Sequence, residues 1–225
     1  DGMVDARDDL TPMLSQYFDR CAEYEDALLL FQNGDFYQTY CDAAEEVARV
    51  CELTLTQRED STGTYPMAGI PVDNAATYVE RLLDAGYRVA VAEQVERPEE
   101  ASGLVDRAVT QVITPGTIID DELLGTGTKN YVAAVTREGS TRAVAAVDAA
   151  TGECLVTSVG DEAGLYAELD RLAPAELLVG PDAAVDATAL AAAPMVTDHE
   201  AAAMDAETAT ETLSSYVATP DAVVE

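Results

Sequence analysis

Leu28-Leu29-Leu30-Phe31-Gln32-Asn33-Gly34-Asp35-Phe36-Tyr37-Gln38 is the stretch from which the rest of the chain can be read. The apolar run of residues 27–32 is short and stops at Asn33-Gly34, a dipeptide that favours a tight hairpin turn because glycine takes a positive φ without steric cost. Strand, turn, strand is therefore expected, with residues 36–38 opening the second strand. Successive side chains of a strand point to opposite faces, so Phe36 and Gln38 share one. An apolar wedge beside a hydrogen-bonding side chain suits a protein that enters a DNA base step, unstacks it and queries one base edge. The same residues also fit an ordinary core phenylalanine next to an exposed polar position, and the pentapeptide alone leaves both readings open.

Upstream, Thr11-Pro12 places an N-cap and a first-turn proline ahead of Leu14, Tyr17, Phe18 and Cys21 at helical spacing, which predicts a helix over 11–24. Downstream, the pattern predicts a helix over 39–51, a strand over 53–58, a polar loop over 59–64 and a helix over 73–85 ended by Gly86. A strand over 87–94, a charged loop from Arg97 to Gly103 and a strand over 107–113 follow. The glycines and threonines of residues 122–129 make the best linker in the chain. Beyond it, strands over 131–136, 142–148 and 153–159, joined by turns at Glu138-Gly139 and Thr151-Gly152, form an antiparallel meander. A helix over 162–172, a strand over 176–179 and an alanine-rich remainder of weak helices complete the reading. The chain is expected to stop within a longer protein. Domains typically run to about 100–150 residues, so a length of 225 suits two α/β domains.

Twelve basic against 43 acidic residues give a net charge of −31. That lacks the basic footprint of a nucleic-acid binder and disfavours an anionic membrane surface. At 48% hydrophobic residues the chain is too apolar for an acidic disordered tail. Lys129 is the only lysine, and the acidity is spread over the whole length. Such a composition fits a proteome adapted to high internal salt, where charge repulsion is screened within about 3 Å at 1 M. The charge then reports the solvent rather than the partner.

Cys21, Cys41, Cys51 and Cys154 show no zinc-ligand spacing, and His199 stands alone. No apolar run reaches the ~18 residues that span a bilayer, and the acidic start does not match a signal peptide, so a cytoplasmic protein with reduced cysteines is expected. The single imidazole disfavours nucleophilic catalysis. Gly125-Thr126-Gly127-Thr128-Lys129 lacks the spacing of a Walker A loop. Asp148 could be one carboxylate of a metal-dependent nuclease, but that chemistry needs further acids converging on two metals, and a turn-forming role is the simpler reading.

The stretches Leu30 to Tyr37, Leu53-Thr54-Leu55-Thr56-Gln57-Arg58, Tyr65-Pro66-Met67-Ala68-Gly69-Ile70-Pro71, Gly86 to Gln94 and Val112-Ile113-Thr114-Pro115-Gly116-Thr117 resemble, in order and spacing, the amino-terminal region of the MutS DNA mismatch-repair proteins. Residues 130 to about 179 resemble, more loosely, the connector domain of that family. The resemblance implies an α/β fold in two parts: a mixed-sheet mismatch-recognition domain over 1–118, a linker over 119–129 and a ribonuclease H-like connector domain, without nuclease activity, over 130–225.

It also implies a function and a site. The fragment is expected to be no enzyme; it would bind mismatched double-stranded DNA by wedge insertion and bending, with Phe36 stacked on the mispaired base and position 38 bonded to it. The expected site is Phe36, Gln38, Asp35, Met67, Pro66 and Arg58, with a loop at Pro66 and Met67 near the wedge and Arg58 meeting phosphate. No cofactor or metal is expected in the fragment; ATP with Mg, an ATPase domain and a dimer belong to the full-length protein, the fragment being monomeric. A MutL-like partner would dock on the connector. Arg58, Arg88, Arg97 and Arg107 could form a local positive strip. Alternatives are a paralogue that binds recombination junctions, a protein-interaction module and the nuclease.

The sequence departs from the family pattern at two places. Position 38 is Gln where the family has Glu, and an amide neither repels phosphate nor needs a proton to bond a base nitrogen, so weaker discrimination with less pH dependence is expected. Asp73 stands where many members carry His, which puts a polar role there in doubt.

Overall fold

The computed structural model describes residues 10–96, 103–118, 130–200 and 204–218. They divide into two compact units, one through Thr114 and one from Pro115 onward. The segment read as a linker, 119–129, and Arg97 lie outside the described residues.

The first unit runs α1 (Pro12–Glu23), β1 (Ala27–Asn33), β2 (Phe36–Tyr40), α2 (Asp42–Cys51), β3 (Thr56–Asp60), β4 (Gly63–Pro71), α3 (Ala75–Asp84), β5 (Arg88–Gln94) and β6 (Arg107–Ile113). Its sheet has the order β3-β4-β2-β1-β5-β6. All neighbours are antiparallel except β1 and β5, which pair parallel. Leu29, Leu30 and Phe31 in β1 and Val89 to Ala92 in β5 are all buried, as continuous apolar runs must be when both faces of a sheet are covered. On one face lies α1, whose Tyr17 packs edge-on against Phe31 and Tyr40 at centroid distances of 5.6 and 4.9 Å. On the other lies α3, whose Val79 lines one cavity with Leu30, Tyr37 and Val91.

The first hairpin turns at Gly34-Asp35, one residue later than the Asn33-Gly34 dipeptide suggests: Asn33 pairs with Phe36, and Gly34 takes φ +61°. Four boundaries differ from the sequence pattern. The segment expected to start a helix at 39 stays in β2 through Tyr40, because Thr39 and Tyr40 pair with Ala68 and Met67 and are buried. Cys41, at φ +57°, then turns the chain into α2. Strand β3 begins at Thr56, since α2 ends through Glu52 in the left-handed region. The polar loop expected over 59–64 shrinks to Ser61-Thr62, where the Asp60 carboxylate accepts the Thr62 N–H at 2.8 Å and the Thr62 hydroxyl at 2.7 Å. A 3-10 turn at Val72–Asn74 delays α3 to Ala75.

The second unit contains β7 (Tyr131–Glu138), β8 (Thr141–Asp148), β9 (Cys154–Val159), α4 (Glu162–Leu172), β10 (Glu176–Val179), β11 (Met195–Asp198) and α5 (Ala206–Ser214). The meander is as expected, and the sheet order is β11-β10-β7-β8-β9, with β10 parallel to both β7 and β11. Three antiparallel strands extended by parallel ones form a mixed sheet. Leu165, Leu169 and Leu172 of α4 close its core over Val135, Val144 and Leu177. Strand β11, within the remainder expected to be helical, was hidden by its four-residue length; it exists because β10 offers it a parallel edge.

Candidate nucleic-acid interface

The site is built at one end of the first sheet, on the face that α1 covers only in part. Phe36 opens β2 and is 46% exposed, whereas Phe31 on the neighbouring strand is fully buried. Its ring rests against Gly69: a Cβ built there would lie 3.6 Å from Phe36 Cδ1. Gly69 pairs directly with Gln38, so the strand beside Gln38 carries no side chain. Tyr37, between them in sequence, points to the opposite face, where its hydroxyl donates to the Glu93 carboxylate at 3.2 Å. Burial first, and the Glu93 charge second, push the Tyr37 phenol up to about 12.

Gln38 is held. Its Oε1 accepts from Asn33 Nδ2 at 3.1 Å and from the Tyr40 hydroxyl at 2.6 Å. Tyr40 is in turn approached by Arg58 Nη1 at 3.5 Å, and the guanidinium lies 6.0 Å from its ring centroid. Burial raises the Tyr40 phenol above its ordinary value and the Arg58 cation opposes that shift, so the hydroxyl keeps its proton at neutral pH. The backbone N–H of Tyr40 donates to Tyr17 of α1 at 3.2 Å, fixing the inner end of this array to the helix.

The remaining site residues are distributed around this core. Asp35 is exposed in the hairpin turn, and its backbone carbonyl accepts the Val72 N–H at 3.0 Å. Pro66 and Met67 lie in strand β4 rather than in a loop, because they pair with Gln57 and with Thr56 and Tyr40. Met67 joins the cluster under α1, while the Pro66 carbonyl accepts the Cys41 N–H at 2.9 Å. Asn33, Tyr40 and Gly69 were not singled out from the sequence. The signal was present, since a two-residue hairpin sets Asn33 opposite Phe36 and the two-residue period puts Tyr40 on the Gln38 face.

The three arginines of the expected strip that lie among the described residues, Arg58, Arg88 and Arg107, do not form one strip. Arg107 is buried at the Phe36 end of the sheet, 4.9 Å over the Phe31 ring, with Nε donating to the Gln32 carbonyl at 2.8 Å. Burial lowers its basicity, and neighbouring Arg58 lowers it further. Arg88 stands at the opposite end of β5, 3.6 Å from Asp26. Arg58 and Arg107 thus lie against Tyr40 and Phe31, whereas Arg88 pairs with Asp26.

In the second unit Asp148 is only 2% exposed and its Oδ1 accepts the N–H groups of Ala150 at 2.9 Å and Thr151 at 3.3 Å. Burial would raise this carboxyl, and those donors outweigh it and hold it below the usual range. Its oxygen is occupied in capping the β8–β9 turn. Among the described residues no group of three or more His, Cys, Asp or Glu side chains could hold a metal ion. No helix among them is long and apolar enough to cross a membrane.

Residues 11–122 match the family profile "MutS domain I" and residues 130–221 match "MutS domain II". Over 97% of its length the chain is 54% identical to DNA mismatch repair protein MutS 2 of Haloarcula marismortui. It is 56% identical over 95% of its length to DNA mismatch repair protein MutS of Natronomonas pharaonis, and 46% identical over 77% to that of Thermus aquaticus. The chain spans 23% and 24% of the length of the two haloarchaeal relatives and 21% of the third.

Proposed function

The chain belongs to the MutS family, and from that premise we propose that its first unit recognises mispaired or extrahelical bases in duplex DNA, inserting Phe36 as a wedge and bending the duplex to initiate mismatch repair. The observation that carries this reading is the exposure of Phe36 at 46% on a face where Phe31 and Tyr40 are buried. An exposed ring at a strand end, backed by Gly69 and flanked by Gln38, is placed to unstack a base step and still leave a polar group at the base edge. The site comprises Phe36 and Gln38, with Asp35 in the turn before the wedge, Pro66 and Met67 on the neighbouring strand, and Arg58 supplying positive charge against phosphate. In this reading the acidic background suits a medium of high salt, where charge repulsion is screened within about 3 Å at 1 M.

The domains are taken as 1–118 and 130–225 with a linker over 119–129. In this reading the second unit is a connector without chemistry of its own. It docks a MutL-like partner, and the exposed Val147 and Val156 on its sheet face away from α4 are suited to contact. ATP hydrolysis with Mg, dimerisation and much of the phosphate grip reside in parts of the protein beyond these two units, and the protein acts in the cytoplasm. Fluorescence-anisotropy titration of the full-length protein against a G·T heteroduplex and its matched homoduplex, at several KCl concentrations, tests the reading. Tighter heteroduplex binding is expected at every salt. Equal binding would refute it and favour junction binding or a pure interaction role.

A further inference from the structure

We propose that Gln38 reads the inserted base only as a hydrogen-bond donor, and that Asn33 and Tyr40 are the positioning residues that fix this polarity. The inference rests on the mismatch-recognition reading and names the chemistry that the site selects: an unpaired base that offers an acceptor atom.

The polarity follows from the one group in the array that has no choice. A guanidinium has N–H donors and no acceptor. Where Arg58 Nη1 meets the Tyr40 hydroxyl, at 3.5 Å, the tyrosine oxygen must accept. Its single proton is then directed at its other neighbour, Gln38, at 2.6 Å. Gln38 must therefore turn its carbonyl oxygen inward. Asn33 presents its amide N–H to the same oxygen at 3.1 Å, so both acceptor sites of Oε1 are occupied. The Gln38 amide nitrogen has no hydrogen-bond partner among the described residues. Its two N–H groups are what remains for a ligand, on the face shared with Phe36 and beside Gly69, which contributes no side chain. A base acceptor, such as a purine ring nitrogen or a pyrimidine carbonyl, completes this pattern without taking up a proton. A base presenting N–H there would meet donor with donor and leave both unpaired, which is the arrangement that buried polar recognition rejects most strongly.

The test uses the full-length protein and insertion duplexes in which the unpaired base is adenine, 7-deazaadenine or 3-deazaadenine. Each deaza base removes one acceptor from one edge and leaves the stacking surface in place. The expected result is that one of the two deaza duplexes binds about tenfold more weakly than the adenine duplex, the loss of a single well-placed hydrogen bond. In Tyr40→Phe that ratio shrinks, because the proton that holds the Gln38 carbonyl inward is gone and the amide must be ordered on binding; Asn33→Ala, which leaves the Tyr40 contact in place, shrinks it less. Asn33 lies at a strand end, so its variant keeps the test available if Tyr40→Phe lowers stability, which urea melts of both report. Equal binding of all three insertion duplexes, each tighter than matched DNA, would overturn the donor-only reading and leave wedge insertion standing. A full tenfold ratio retained in both variants would remove Asn33 and Tyr40 from the proposal. No preference for any insertion duplex over matched DNA would overturn this inference and the functional reading together.

Discussion

Replacing Phe36 by alanine separates binding from folding in a way that the geometry makes quantitative. A phenylalanine carries about 200 Å² of surface, and with 46% of it exposed roughly 90 Å² remains to be buried by a ligand. At about 25 cal/mol per Å² that is worth about 2.3 kcal/mol, or roughly a 50-fold change in affinity. On the proposed reading the ring enters the stack only at a weakened base step, so the loss is expected to fall on heteroduplex and to leave homoduplex affinity nearly unchanged. Folding should notice less than it would for a fully buried ring: the roughly 110 Å² already covered by the protein is worth at most about 2.7 kcal/mol. Phe31→Ala is the internal contrast. That ring is fully buried and stacked edge-on with Tyr17, and its removal should cost about 3–5 kcal/mol of stability. Anisotropy titrations and urea melts of the two variants, over a range of KCl because phosphate contacts weaken with salt, give both numbers. The reasoning fails if Phe36→Ala unfolds as easily as Phe31→Ala, or if it keeps its heteroduplex preference.

Three further outcomes concern the scaffold. Tyr37 has its phenol pushed up to about 12 in the folded protein against about 10 in the unfolded chain, so its contribution is complete below pH 10 and is lost as pH rises toward 12. The upper limit is about 2.7 kcal/mol, reduced by solvent screening, and urea midpoints between pH 9 and 11.5 should fall less steeply in Tyr37→Phe than in the parent. Gly116→Ala should destabilise the second unit by about 1–3 kcal/mol, because the new Cβ would overlap Cγ2 of Val132 and lie 2.9 Å from Cβ of Glu176; an unchanged melting temperature would contradict the packing. Arg107→Met keeps apolar bulk over Phe31 but removes the donors to the Gln32 and Val105 carbonyls, each at 2.8 Å. A loss of about 2–4 kcal/mol in chemical denaturation is expected, and a neutral result would mean that those carbonyls find other donors.

Elements with strong local signals were legible in the chain. The meander, α4, β6 and β10 lie where periodicity and turn residues put them, because each carries its own apolar pattern bounded by turn residues. The misplaced boundaries share one cause. Thr39 and Tyr40 belong to a helical pattern by composition, but burial beneath α1 and pairing with β4 hold them extended. Strand β11 is likewise created by an edge that only the folded sheet possesses.

By itself the sequence determined the placement of the two residues proposed to meet the base. The apolar run, the glycine turn and the two-residue strand period place Phe36 and Gln38 on one face, and the ordered motifs around them identify the family. Only the tertiary structure decided what Gln38 can say to a ligand. Its neighbours come from β1, from the inner end of β2 and from β3, and the direction of its amide follows from an arginine twenty residues away that can donate but not accept. Hydrogen-bond polarity is a property of a closed network, and that network closes only when the strands pair.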